Sequence, residues 1–385
     1  MTKESRLLIG ALGWAVSGKT EELSLSVDWE ALLKLAKCHM LLPLLYDGLQ
    51  KAGCWENVPR DAAKTLEKAV MQAVCQDAQM EDLRAKLEKQ LIAGKIPYVF
   101  LKGAVLKYDY PNPEMRTMCD MDVLVHTQDY PAIEKIARDL YGVPGHSDGN
   151  HRNYRFPGGI EVEFHPNLIH QDTPVGTDIN PGWQYTVQTP EGIRMTEEGI
   201  YLNTICHLAN HFVAGGVGVR FVLDVWVNRH LRKYPIDREK VEAELSRFGL
   251  LTFAKNVEAL AECWFAEGES NPLLEELGEY ILTSGSHGRG DRAVLNNVSL
   301  SKGGSRASAL WGKIFYSRAE MEDRFPWCKG KPILLPVAWC VRAFRAVTKR
   351  SKLILTWSKE TSRVTKAEAE AQKEKLAYFG IQRKK

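Results

Sequence analysis

The sequence predicts an α+β fold, a small strand-bearing core set between N- and C-terminal helical regions. Three observations predict it. Apolar residues recur at helical spacing through residues 28–95 and again through 196–265, an apolar run at 121–125 alternates with acids, and residues 152–165 alternate about a Gly158-Gly159 pair. The chain divides accordingly into an N-terminal helical region (1–95), a core (96–170), a C-terminal helical domain (171–350) and a basic tail (351–385).

In the first region Trp29, Leu32, Leu33 and Leu35-Ala36 recur at helical spacing, Asp28 is placed as an N-cap, and Pro43 begins or kinks the next segment. A long helix follows from Asp61 to Ala93, periodic through Leu66, Val70, Val74, Leu83, Leu87 and Leu91, and Gly94-Lys-Ile-Pro97 ends it. The core reads as a strand at 98–102, a short helix after Gly103, a strand at 121–125, a helix near 130–141 and a hairpin at 152–165. Residues 171–195, rich in Pro and Gly, read as a long loop. Helices resume at Thr196, where Glu197 and Glu198 suit the helix dipole, and break at Gly215, Gly216 and Gly218. The Gly/Ser-rich stretch from Ser284 to Ser305 reads as a mobile loop.

The most informative stretch is Arg116-Thr-Met-Cys-Asp120-Met-Asp122-Val-Leu-Val. Residues two apart in a strand point to one side, so Asp120 and Asp122 project together while Met121, Val123 and Val125 face the other way. Two converging acids repel, and burial raises a carboxylate pKa unless a partner compensates. A divalent cation between them resolves both costs, and oxygen-only ligands favour Mg²⁺ or Mn²⁺ over zinc. A third acid comes from the hairpin, where Glu161, Glu163 and His165 share a face. Glu163 is preferred because it lies mid-strand, whereas Glu161 lies beside the turn; Glu161 stays open as the alternative. Upstream, Lys102-Gly103 joins a strand to a short helix, a place where backbone N–H groups and a mobile cation can meet a phosphate.

These pieces resemble a known family. Leu101-Lys-Gly103, then Arg116-x-x-x-Asp120-x-Asp122-x-Leu-Val, then Val162-Glu-Phe-His165 look like the uncharacterised nucleotidyltransferases of the DNA polymerase β superfamily. His207-x-x-x-His211, Arg220-Phe-Val-Leu-Asp224, Leu35-Ala-x-x-His39-Met-Leu-Leu-Pro43 and Pro332-Ile-Leu-Leu-Pro-Val-Ala-Trp339-x-x-Arg342 are similar too, so the resemblance spans about residues 25 to 350. It implies a minimal nucleotidyltransferase core of a small mixed sheet with helices, two divalent ions and an NTP donor, with ATP the first choice. It also implies that His165, His207, His211, Arg220 and Asp224 lie on the substrate side. The sequence departs from the superfamily pattern in three places: Ala104 follows Gly103 where Ser or Gly is usual, the gap from Gly103 to Asp120 is somewhat long, and the third acid is Glu where Asp is commoner.

Each of these residues also has a plain structural reading. Arg116 is either a loop arginine in an ion pair or a phosphate or carboxylate fork. His207 and His211 share a helical face, but Leu208 stands where a zinc hydrolase needs Glu, so a substrate pocket or satisfied core histidines fit better than zinc. Arg220 and Asp224, at i and i+4, fit an intrahelical salt bridge or an approach to the site.

Composition bounds the rest. With 385 residues, 44% hydrophobic and 26% charged, the chain can bury a substantial core, and a net charge of +3 does not mark a nucleic-acid binder by itself. Eleven Lys/Arg against four Glu from Lys349 to Lys385 leave RNA open as a partner of the tail. Eight cysteines without a C-x-x-C pair, several in apolar stretches such as Cys119, Cys206 and Cys340, fit reduced buried thiols in a cytoplasmic protein. The N-terminus shows no signal peptide, and the sequence shows no transmembrane span. The expected activity is metal-dependent transfer of an NMP from an NTP to a hydroxyl on a small molecule, RNA or protein. The competing expectation is a degenerate nucleotide-sensing protein of the same fold, with a peripheral-membrane role through the basic C-terminal segment as an extension.

Overall fold

The computed structural model describes residues 1–19, 21–145, 151–170, 173–286, 288–301, 304–309, 318, 321–322, 325–328 and 330–382, with backbone alone at 345–356 and 358. It opens with α1 (Lys3–Val16), α2 (Trp29–Cys38), α3 (Leu42–Lys51) and α4 (Arg60–Ala93). Asp28 caps α2 by accepting from the amides of Glu30 and Ala31, and Pro43 stands in the first turn of α3. The sequence periodicity does not single out α1. Leu7, Leu8, Ala11, Leu12 and Ala15 are all buried, so this helix has no polar stripe to reveal a period. It crosses α3 so closely that a side chain on Gly48 would meet the Ala11 carbonyl.

The core follows as β1 (Tyr98–Phe100), α5 (Gly103–Leu106), β2 (Asp120–Val125), α6 (Tyr130–Asp139), β3 (Val143–Pro144), β4 (Arg152–Arg155) and β5 (Glu161–His165). The sheet is mixed, in the order β1-β2-β5-β4-β3. Its β2–β5 pair is parallel and sets Asp120 opposite Glu161 and Asp122 opposite Glu163; the other pairs are antiparallel. The β4–β5 hairpin turns through Gly158 and Gly159, both at positive φ.

The helical domain then runs through β6 (Thr186–Thr189), β7 (Gly192–Met195), α7 (Glu197–Val213), α8 (Val219–His230), α9 (Arg238–Phe248), α10 (Leu251–Phe265), α11 (Pro272–Leu282), α12 (Gly290–Leu300), α13 (Leu335–Arg363) and α14 (Lys366–Tyr378). Thr196 caps α7 through the Gly199 amide, and Gly215 and Gly216 turn the chain at positive φ between α7 and α8.

Among the described residues, two small apolar clusters lie in the C-terminal part, and two large apolar cores hold these layers. One unites α1–α3 and the start of α4 with α7–α11 and with one face of the sheet. The other packs the far half of α4 (Met80, Leu83, Leu87, Leu91) and α6 against the opposite sheet face. The N- and C-terminal helical regions therefore share one core, although the sheet separates them in sequence. His39 ties them: its Nε2 lies 3.1 Å from the Leu282 carbonyl and its Nδ1 accepts from the Val219 amide at the start of α8.

Four expectations are corrected. The loop at 171–195 contains the β6–β7 hairpin, in which Pro190 and Glu191 form the turn between two short strands and Thr189 pairs with Gly192. The mobile loop at 284–305 contains α12, with Val294, Val298 and Leu300 buried; the Gly and Ser residues concentrate at its ends, and 287 and 302–303 lie outside the described residues. The basic tail ends in the main core, where Leu376, Phe379 and Ile381 are at most 1% exposed and Asn256 donates to the Phe379 carbonyl. Its charged residues mask three apolar anchors. Of the cysteines, Cys206 is buried as expected, but Cys119 and Cys340 are exposed. Among the described residues no helix is long and apolar enough to cross a membrane.

Candidate active site

The sheet face opposite α4 and α6 floors a cavity of about 380 Å³. Strand alternation turns Met121, Val123 and Val125 into the second core and leaves Asp120 and Asp122 on the cavity side. On β5 the same alternation buries Val162 and Phe164 and presents Glu163 and His165. Lys102, Gly103, Arg116, His207, His211, Arg220 and Asp224 line the same cavity, so the candidate residues other than Glu161 meet in one place. Glu161 stays outside it, held by Arg155 at 3.1 Å.

Asp122 is the centre of charge. Its Oδ1 accepts from Lys102 Nζ at 2.9 Å and lies 2.8 Å from His165 Nε2. That nitrogen is also 3.2 Å from Glu163 Oε2, and Asn153 donates to Glu163 Oε1 at 3.1 Å. Burial opposes ionisation of Asp122, but Lys102 and the His165 contact hold its carboxyl well below the usual carboxylate range. Burial raises Asp120 to about 6, and the adjacent Asp122 charge adds to the rise. Burial works against a charged His165, yet its bonds to Asp122 and Glu163 outweigh it and raise the imidazole's pKa. Glu163 is lowered by its bond to His165.

The phosphate-side elements differ from the sequence expectation in detail. The sharp turn after β1 falls on Lys102, a non-glycine residue at φ 50°. Gly103 instead leaves room for Arg116, whose Nη1 would lie 2.7 Å from a side chain there. Arg116 forms a bidentate fork with Asp224 at 2.7 Å through Nε and Nη2, and Tyr110 donates to the same carboxylate at 2.7 Å. Asp224 thus pairs across to Arg116 and not along its helix to Arg220, which donates to the Thr117 carbonyl at 2.6 Å. Arg116 Nη1 and Arg220 Nε are buried without a hydrogen-bond partner among the described residues.

The opposite wall is α7. His207 and His211 lie edge to face, with centroids 4.4 Å apart, and each ring is 5.6 Å from Phe221. Burial, with Lys102 nearby, pushes His207 well below its usual pKa, so the ring is neutral. Sequence reasoning missed Asn203 and Asn210, which line the cavity on the same helix with their Oδ1 atoms buried and unpartnered among the described residues. The signal existed: positions 203, 207, 210 and 211 form a polar stripe at helical spacing in an otherwise apolar helix. His151 and His170, whose rings lie 5.2 Å and 6.2 Å from that of His165, were missed as well and have no spacing that announces them.

The donor set suits a divalent cation. Ligand atoms of Asp122, Glu163 and His165 all lie within 4.8 Å of one another. Asp120 shares their cavity but stands outside that group, whereas the sequence groups it with Asp122 and Glu163.

The profile of a family described as uncharacterised nucleotidyltransferase matches residues 26–266. This covers more than half of the chain and every candidate site residue, and the segment Pro332 to Arg342 lies beyond it. No curated protein and no solved structure matches the chain. The chain belongs to this nucleotidyltransferase family.

Proposed function

We propose that this protein transfers a nucleoside monophosphate from an NTP, with ATP the first donor to test, to a hydroxyl-bearing acceptor: the acceptor oxygen bonds to the α-phosphorus, the bond to pyrophosphate breaks, and pyrophosphate and the hydroxyl proton leave. One observation carries the reading: parallel strands β2 and β5 bring Asp122 and Glu163, with Asp120 alongside, to a single cavity that also holds Lys102, Arg116 and Arg220. A divalent ion, Mg²⁺ or Mn²⁺, held by this acidic face would neutralise the triphosphate and lower the pKa of the acceptor hydroxyl.

The chain's own groups supply the rest. Lys102 sits on Asp122 through a flexible stem and can serve a phosphate oxygen instead. Arg116 and Arg220 line the same cavity, each with one buried guanidinium nitrogen, Nη1 and Nε, that has no partner among the described residues, and the Asp224 fork fixes the first side chain. The acceptor enters along α7, where Asn203, Asn210 and neutral His207 offer hydrogen bonds without charge. Catalysis by this set is positioning and charge compensation, so no covalent nucleophile is needed.

The test is incubation of the full chain with each labelled NTP, Mg²⁺ or Mn²⁺, and candidate small-molecule, RNA and protein acceptors. Labelled acceptor that disappears with EDTA supports the reading; NTP bound but never transferred to any acceptor replaces it with nucleotide sensing. The Lys102–Asp122 ion pair favours that second reading, since it already neutralises the central acid.

A further inference from the structure

We infer that His165 is a direct nitrogen ligand of the metal site, so that the site prefers a first-row transition divalent ion such as Mn²⁺ over Mg²⁺. The inference rests on the transferase reading of this cavity and specifies its donor set. Asp120, Asp122 and Glu163 together would make an all-oxygen site, the kind Mg²⁺ takes. The donor atoms that converge are different: two carboxylates, Asp122 and Glu163, and one imidazole.

The ring presents a nitrogen, not a carbon edge, to both acids, with Nε2 2.8 Å from Asp122 Oδ1 and 3.2 Å from Glu163 Oε2. Adjacent donors of an octahedral ion, each about 2.1 Å from it, lie about 3 Å apart. The two separations bracket that spacing. His165 is also held in place: it pairs with Leu124 in the parallel β2–β5 ladder and stacks on His151 at 5.2 Å and 29°. Glu163 and His165 stand two residues apart on one strand face, so the backbone fixes their spacing. Imidazole nitrogen adds affinity for Mn²⁺ and the later transition ions and little for Mg²⁺, which dehydrates reluctantly and takes oxygen.

The test loads the full-length protein with Mn²⁺ alone and records pulsed EPR. The expected result is ¹⁴N modulation of imidazole type in the wild type that is lost in His165→Gln, with Mn²⁺ affinity falling about tenfold or more and Mg²⁺ affinity changing far less. Bound Mn²⁺ without nitrogen modulation overturns the inference, and so does modulation that persists in His165→Gln or an equal loss of both ions. A wild-type spectrum without nitrogen modulation overturns the inference even if the variant does not fold, and His165→Asn is then the second variant in which the modulation is expected to be lost. Transfer of labelled NTP with Mg²⁺ is scored in parallel: transfer without nitrogen ligation sinks this inference alone, and absence of both metal binding and transfer sinks the transferase reading with it.

Discussion

On β2 and β5, the face toward α4 and α6 carries Met121, Val123, Val125, Val162 and Phe164, each at most 1% exposed, whereas the cavity face carries Asp120, Asp122, Glu163 and His165. The same backbone supports both. Burying each apolar side chain contributes roughly 1.5–3 kcal/mol, while desolvating each acid opposes folding unless a partner compensates. The apolar face therefore anchors the strands, and the charged face stands at fixed two-residue spacing on an anchor it could not provide itself. Its compensation is local: Lys102 and His165 on Asp122, and Asn153 on Glu163.

If that division of labour is right, the two faces break in different ways. Asp122→Asn is expected to lower metal-dependent transfer by at least about 100-fold, because it removes an anionic ligand of the divalent ion that would neutralise the triphosphate, and that ion's charge stabilisation is worth several kcal/mol. Circular dichroism should show the fold retained. Transfer at wild-type rate would remove this face from the chemistry.

Phe164→Ala is the opposite case. It opens a cavity in the apolar face and should cost about 3–5 kcal/mol in urea unfolding. A loss under about 1 kcal/mol would mean that the second core does not anchor β5.

Neighbouring acids on β5 sharpen the comparison within the charged face. Glu163→Gln is expected to slow transfer about 10- to 100-fold with less effect on NTP affinity, while Glu161→Gln, whose carboxylate serves Arg155 at the surface, should stay within about twofold. Parallel measurements of turnover and NTP binding decide it. A larger effect from Glu161 would show that the β2–β5 register brings a different acid to the cavity.

The smallest effect belongs to His39, away from both faces. Burial depresses its pKa below the ordinary imidazole value, so the unfolded chain binds the proton better. Stability from this group is full above the unfolded pKa and is lost as pH falls below it. The melting temperature should drop between about pH 7.5 and about pH 5.5, and the drop should shrink in His39→Gln. His165 titrates with the opposite sign, which is why the variant is compared with wild type at both pH values. An unchanged drop would assign the pH dependence to other groups, such as buried His207.

Much of this was legible in the sequence wherever the signal was local. Alternation at 120–125 and 161–165 determined which side chains face together, Asp28 and Thr196 announced their caps, and the spacing from Leu66 to Leu91 announced α4. Residue types at short spacing also determined that an acidic, metal-suited face exists. Tertiary structure decided what those groups meet. Arg116 finds Asp224 across 108 residues of chain instead of a phosphate alone, and His165 joins Asp122 and Glu163 where Asp120 was expected. Phe379 and Ile381 turn a charged tail into part of the core. The physical reason is range: a helix or strand period relates residues two to four apart, whereas the partner of a buried charge is set by which elements pack together, and a linear pattern does not record that.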